Sequence, residues 1–178
     1  MPPDTTDVFL VGEVGNDHYG FSLAAGGDLN GDDYDDVAIG AYTSDVGGYY
    51  AGKVYVHSGK MIRMNNFDHQ EKMLGQPAYG WGGYTVAGGD VNGDGFSDIA
   101  FSHDIRNASK VYLCLSTPGE GLTDLEPDFT LSDGIWREFG YSIAFGDFDG
   151  DGFDDIAVGS PYWWNTSDPY TSQIGEVC

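Results

Sequence analysis

Asp28-Leu-Asn30-Gly-Asp32-Asp-Tyr34-Asp-Asp36 lies between two short apolar runs. The chain repeats it twice, as Asp90-Val-Asn92-Gly-Asp94-Gly-Phe96-Ser-Asp98 and Asp147-Phe-Asp149-Gly-Asp151-Gly-Phe153-Asp-Asp155. Oxygen side chains stand at relative positions 1, 3, 5 and 9, and the residue at position 7 (Tyr34, Phe96 or Phe153) offers a backbone carbonyl. Such a set can converge on one hard cation of the size of calcium. Glycine at position 4 of every copy (Gly31, Gly93, Gly150) lets the backbone turn tightly around the ion. The plain alternative is an acidic surface turn, but unrelated turns would not keep one ligand spacing three times.

An EF-hand loop is excluded, because it requires a glutamate at position 12 and a helix on each side. Position 12 here is Ile39, Phe101 or Val158. The runs that follow, Asp36-Val-Ala-Ile-Gly40 and Asp155-Ile-Ala-Val-Gly159, are short, β-branched and punctuated by glycine, which reads as strand. Each acidic loop therefore closes a β-hairpin.

The likeness between copies extends beyond the loops. Tyr19-Gly-Phe-Ser-Leu-Ala24, Gly82-Gly-Tyr-Thr-Val-Ala87 and Phe139-Gly-Tyr-Ser-Ile-Ala144 precede the three loops. A second strand follows each loop, then a third at Gly52-Lys-Val-Tyr-Val56, Ser109-Lys-Val-Tyr-Leu113 and Gly175-Glu-Val-Cys178. Fourth apolar runs lie around Met73-Leu-Gly75 and Phe129-Thr-Leu131. The first ligands are 62 and then 57 residues apart. Four strands in a period this long describe a propeller blade rather than a solenoid rung. The expectation is an all-β chain, a partial β-propeller of about three four-stranded antiparallel blades. Blade one covers about 18–75, blade two about 79–132, and blade three about 138–178, incomplete; residues 7–12 form the outer strand of a neighbouring or closing blade.

These residues resemble the FG-GAP repeat family, whose members include the blades of the integrin alpha-subunit propeller. Phe139-Gly140 matches the FG element, and Gly159-Ser-Pro161 and Gly40-Ala-Tyr42 match the GAP element with one substitution each. Blade two is the least typical, with Gly82-Gly83 and Ser102-His-Asp104 in those places. Loop one carries Asp33 at position 6, where the others have Gly95 and Gly152; a left-handed backbone there would cost roughly 1 kcal/mol. The resemblance implies structural Ca2+ in up to three sites and a working face on the rim opposite the metal loops. It further implies a non-catalytic module for extracellular protein recognition or cell adhesion, at the cell surface or outside the cell. A carbohydrate-binding propeller and an accessory propeller of a secreted enzyme are the alternatives. The family's propellers usually close with about seven blades, so the chain reads as a fragment. The remaining blades, or a second copy, would cover the apolar faces it leaves open. Met1-Pro-Pro3 is followed by no apolar stretch, so no signal peptide is visible.

Composition agrees. Seven Lys and Arg stand against 29 Asp and Glu, a formal charge of −22, and phosphate neutralisation by so acidic a chain is excluded, so nucleic acid is not a partner. No apolar stretch is long enough to span a membrane, and no nucleophile elbow, phosphate loop or zinc motif occurs. Aromatic residues make up 15% of the chain, most of them expected between blades. Tyr162-Trp163-Trp164, placed in the loop after the third GAP-like element, are candidates to stack on a sugar or anchor a protein. Asn107 and Asn165 head N-glycosylation tripeptides, each in a loop joining second to third strand. Cys114 and Cys178 are too few for a disulfide scaffold, and their spacing does not settle whether they pair. His18, His57, His69 and His103 lack metal-ligand spacing and read as structural or solvent-facing.

Overall fold

The computed structural model describes residues 9–60, 70–72, 79–103, 109–117, 126–132, 138–163 and 174–177. Within them the regular structure is β, apart from a helical start at Gly59 and Lys60. Blade one is a sheet of β1 (Ser22–Ala25), β2 (Val37–Ala41), β3 (Lys53–His57) and β4 (Gln70–Lys72), in sequential order. Blade two repeats it with β5 (Val86–Gly89), β6 (Asp98–His103), β7 (Lys110–Cys114) and β8 (Phe129–Leu131). Blade three shows β9 (Ser142–Gly146), β10 (Asp155–Trp163) and β11 (Ile174–Val177). Every neighbouring pair within a blade is antiparallel. The first strands β1, β5 and β9 lie side by side, as the innermost strands of successive blades should.

Period-2 alternation decides which side chains fill the space between blades. Val54 and Val56 of β3 face Ile99, Phe101 and Cys114 of blade two, while the intervening Tyr55 joins Ile39 and Ala41 on the opposite face of blade one. Ala100, Val111 and Leu113 turn the other way, toward Phe139 and Val158 of blade three. Leu10 and Tyr19 pack over the Ile39, Ala41 and Tyr55 patch. That face of blade one is thus partly covered by its own leading segment.

Two expectations meet the described residues only in part. Of the outer strand expected at 7–12, residues 9–12 form no strand and residues 7 and 8 lie outside the described residues; Phe9 and Val11 are exposed, while Leu10 packs on the Ile39, Ala41 and Tyr55 patch. The fourth strand of blade one falls at Gln70–Lys72, ahead of the expected Met73–Gly75, which lies outside the described residues. Aromatic side chains do pack between blades among the described residues: Phe101, Tyr112, Phe139 and Phe145 join the clusters there, and at one rim Phe21, Tyr42, Trp81, Tyr84 and Tyr141 touch across the blades as well.

Candidate metal centre

The three acidic loops join β1 to β2, β5 to β6 and β9 to β10, so all three lie at one end of the strands. They are here sites one, two and three. Their backbones follow one course: position 4 is left-handed in each, at φ 75° for Gly31, 71° for Gly93 and 82° for Gly150. Position 6 is left-handed too, with Asp33 at 65°, Gly95 at 87° and Gly152 at 95°. Loop one therefore does carry the strain anticipated for a side chain at that position.

The first aspartate of each loop holds the turn. Asp28 Oδ1 accepts the N–H of Asn30, Gly31 and Asp32, and its Oδ2 accepts that of Asp33. Asp90 accepts from Gly93, Asp94 and Gly95, and Asp147 from Gly150, Asp151 and Gly152, in the same pattern. Burial works against the charge of Asp28. The N–H groups of Asp33, Asp32, Gly31 and Asn30 outweigh it and hold the carboxyl below its ordinary value. Position 5 is fixed similarly, with Asp32, Asp94 and Asp151 each accepting the N–H of the position-7 residue.

Position 9 ties the loop to the rest of its blade. Asp36 Oδ2 accepts from Leu29 N and Asn30 Nδ2, and its Oδ1 accepts from Gly59 N, just past β3. Asp98 does the same with Val91 N and Ser116 N, just past β7, and Asp155 accepts from Phe148 N. Asp36 and Asp98 are almost wholly buried. Burial pushes both carboxyls up to about 6, opposed by the N–H groups they accept and reinforced by the other aspartates of the same loop. Among the described residues each of these buried anions meets only neutral donors and like charges, an electrostatic deficit that a cation would cancel.

The donor set fits such an ion. Carboxylate oxygens of Asp147, Asp149 and Asp151 all lie within 4.8 Å of one another. In sites one and two an amide, Asn30 or Asn92, stands where Asp149 does. Hard oxygen donors and a flexible glycine-bearing loop suit calcium better than the rigid octahedron of magnesium.

At the opposite end of the strands lie the FG- and GAP-like elements, and there the aromatic rings gather. Phe21 packs on Tyr42 at 4.5 Å and on Tyr84 at 4.9 Å; Tyr42 meets Trp81 at 5.3 Å; Tyr84 meets Tyr141 at 5.5 Å. The band runs across all three blades, with Phe21 and Tyr141 exposed. The Tyr84 hydroxyl is pushed up to about 12, first by its hydrogen bond with Tyr141.

The FG-GAP repeat model matches residues 19–57, 82–113 and 139–168, and each matched segment contains one of the three loops. The chain belongs to the FG-GAP repeat family. Integrin alpha-PS5 of Drosophila melanogaster is 32% identical over 163 residues, covering 84% of this chain and 16% of that protein. Integrin alpha-V of Gallus gallus is 31% identical over 157 residues, 82% of this chain and 14% of the relative. Integrin alpha-4 of Xenopus laevis is 28% identical over 149 residues, with 81% and 14% covered. The chain thus spans about one-sixth of the length of these relatives or less.

The remaining sequence candidates fare differently. Tyr162 and Trp163 belong to β10, not to a loop. The ladder shifts register between Ser160 and Trp163 and resumes at the pair Trp163 and Ile174, and this irregularity absorbs Pro161, which has no N–H to donate. Trp164, Asn107 and Asn165 lie outside the described residues, as do Cys178 and His69. His18 Nδ1 is 2.6 Å from Thr43 Oγ1 and His57 Nε2 is 2.8 Å from the Tyr19 hydroxyl, both structural contacts. The sequence reading missed the aromatic band. Its signal was an aromatic residue directly after the FG glycine in each blade: Phe21, Tyr84 and Tyr141.

Proposed function

We propose that this chain is part of a calcium-stabilised FG-GAP propeller whose FG rim recognises an extracellular protein ligand. The observation that carries the recognition half is the aromatic band at the end of the strands away from the metal loops. Contiguous rings with exposed edges are what protein interfaces concentrate, because they bury large area at little entropic cost. Asp28, Asn30, Asp32, the Tyr34 carbonyl and Asp36 would hold the ion in site one. Asp90, Asn92, Asp94, the Phe96 carbonyl and Asp98 would hold it in site two, and Asp147, Asp149, Asp151, the Phe153 carbonyl and Asp155 in site three. Bound calcium supplies positive charge that offsets carboxylate repulsion and fixes each hairpin. No open coordination position or nucleophile is part of this reading, so the ions are structural and the module is a binder.

The integrin names of the relatives support an adhesive role at the cell surface. Tyr162, Trp163 and Trp164 belong to the carbohydrate-binding alternative, whereas Asn107 and Asn165 would be N-glycosylation acceptors whichever ligand the module binds. Binding of the calcium-loaded chain to panels of extracellular proteins and to a glycan array separates the two. Protein binding that Phe21→Ala or Tyr84→Ala abolishes, with the fold retained, supports the rim. Glycan binding that survives both substitutions overturns it.

A further inference from the structure

The five ligand positions leave position 8 of each loop without a role. In loops two and three that residue, Ser97 or Asp154, reaches the preceding blade. Asp154 N donates to the Asp90 carbonyl at 2.9 Å, and Asp90 N donates to Asp154 Oδ2 at 2.9 Å. Asp90, first ligand of site two, is therefore gripped at both backbone groups by loop three, while its carboxylate is gripped by its own loop. The ring of Phe153 occupies the space that a Cβ on Gly93 would take, and a Cβ on Gly89 would lie 2.6 Å from Asp154 Oδ2. One blade earlier the arrangement recurs in reduced form: Ser97 N donates to the Asp28 carbonyl at 3.0 Å, and the Ser97 hydroxyl fills the space beside Gly27. Glycine before the first ligand (Gly27, Gly89) is thus the socket for position 8 of the next blade.

We infer that position 8 is a positioning residue for the metal site of the preceding blade. Asp154, aided by Phe153, sets the geometry of site two, and Ser97 sets that of site one. The inference rests on the calcium reading above. The two residues that bracket Asp154, Phe153 through its carbonyl and Asp155, are ligands of site three. Whatever fixes loop three therefore also fixes the grip on Asp90. Occupancy of sites two and three is positively coupled, and sites one and two less so, because Ser97 contributes one backbone hydrogen bond where Asp154 takes part in two.

Calorimetric calcium titration of the full chain, with amide exchange in chelator, tests this. Asp94→Ala identifies the binding event of site two. Asp154→Ala and Phe153→Ala should each weaken that event, Asp154→Ala by about tenfold, within the usual range of coupling between sites. Asp154→Ala should speed exchange of the Asp90 amide, and Asp154→Asn, which keeps an acceptor, should restore most of both. Asp151→Ala should weaken site two by the same factor by which Asp94→Ala weakens site three, since coupling is reciprocal. If Asp154→Ala does not fold, Phe153→Ala and the Asp90 amide in Asp154→Asn decide the matter. Site two unchanged in these variants, or all three sites weakened equally, overturns the inference while leaving the calcium reading intact. A wild-type chain that binds no calcium overturns both.

Discussion

Acidification should stabilise this chain when calcium is removed. The perturbation is a shift from pH 7 to pH 5 in chelator, and the groups that respond are Asp36 and Asp98, whose carboxyls burial pushes up from 3.8 to about 6. Between those values the folded state binds more protons than the unfolded state, so stability falls as pH rises through the window and the full cost is present above about 6. Integrating from pH 7 down to pH 5 gives about 1.3 kcal/mol for each carboxyl and about 2.6 kcal/mol for both. Asp28, held below its ordinary value, acts oppositely, but its contribution is lost only as pH falls below the ordinary carboxylate range. Relief of general repulsion in a chain of net charge −22 adds to the same trend. The double variant Asp36→Asn, Asp98→Asn separates the two, because it removes the site-specific part alone. Urea melts in chelator at pH 5, 6 and 7 measure the effect. In saturating calcium the two carboxylates are already compensated, and protons now compete with the ion, so affinity at sites one and two should drop about tenfold by pH 5. A chelated chain whose stability falls on acidification, or a double variant with an undiminished response, would refute the electrostatic reasoning.

Three further outcomes are expected. Leu29, at loop position 2, has 0% exposure among Ile99, Phe101 and Val54, so Leu29→Ala should cost about 2–5 kcal/mol in a urea melt; under 1 kcal/mol would mean that blades one and two are not packed as described. Gly40→Ala places a methyl on the Gly83 carbonyl and on the Ser22 hydroxyl that donates to it at 2.8 Å, a loss of about 2–4 kcal/mol, whereas the only close approach in Gly159→Ala is to the Ser142 hydroxyl, which side-chain rotation can relieve, so it should cost far less; equal losses would contradict the inter-blade contact. Calorimetry of Asp32→Ala, Asp94→Ala and Asp151→Ala should find site three tightest, since it has four carboxylates, and site one weakest, since it combines Asn30 with a strained Asp33; loss of the tightest event in Asp32→Ala alone reverses that order.

Much of this fold was legible because its informative residues act locally. Ligand spacing and the glycine at position 4 are properties of nine consecutive residues, and the strand runs on either side alternate or branch in the usual way. What escaped depends on a neighbouring blade. Ser97 and Asp154 look like ordinary loop polars until the loop before them is placed alongside, and Gly27 and Gly89 look like turn residues until their sockets are filled. The band of Phe21, Tyr84 and Tyr141 is likewise assembled from positions about sixty residues apart. Tyr162 and Trp163 read as loop because Gly-Ser-Pro precedes them, yet pairing with β11 keeps the backbone extended beyond the irregularity at Pro161. Leu23 and Phe148, both 63% exposed, would have been assigned to the core by pattern alone. Their equivalents Val86 and Leu29 are buried because another blade lies against them.

Thermal melts of the chain in chelator, in calcium and in magnesium test the central claim most directly. The loops described here require a clear rise in midpoint with calcium, in the range of 10⁻⁴ to 10⁻³ M if the sites behave as extracellular modules do, and a much smaller rise with magnesium. Identical midpoints in all three conditions would contradict the account.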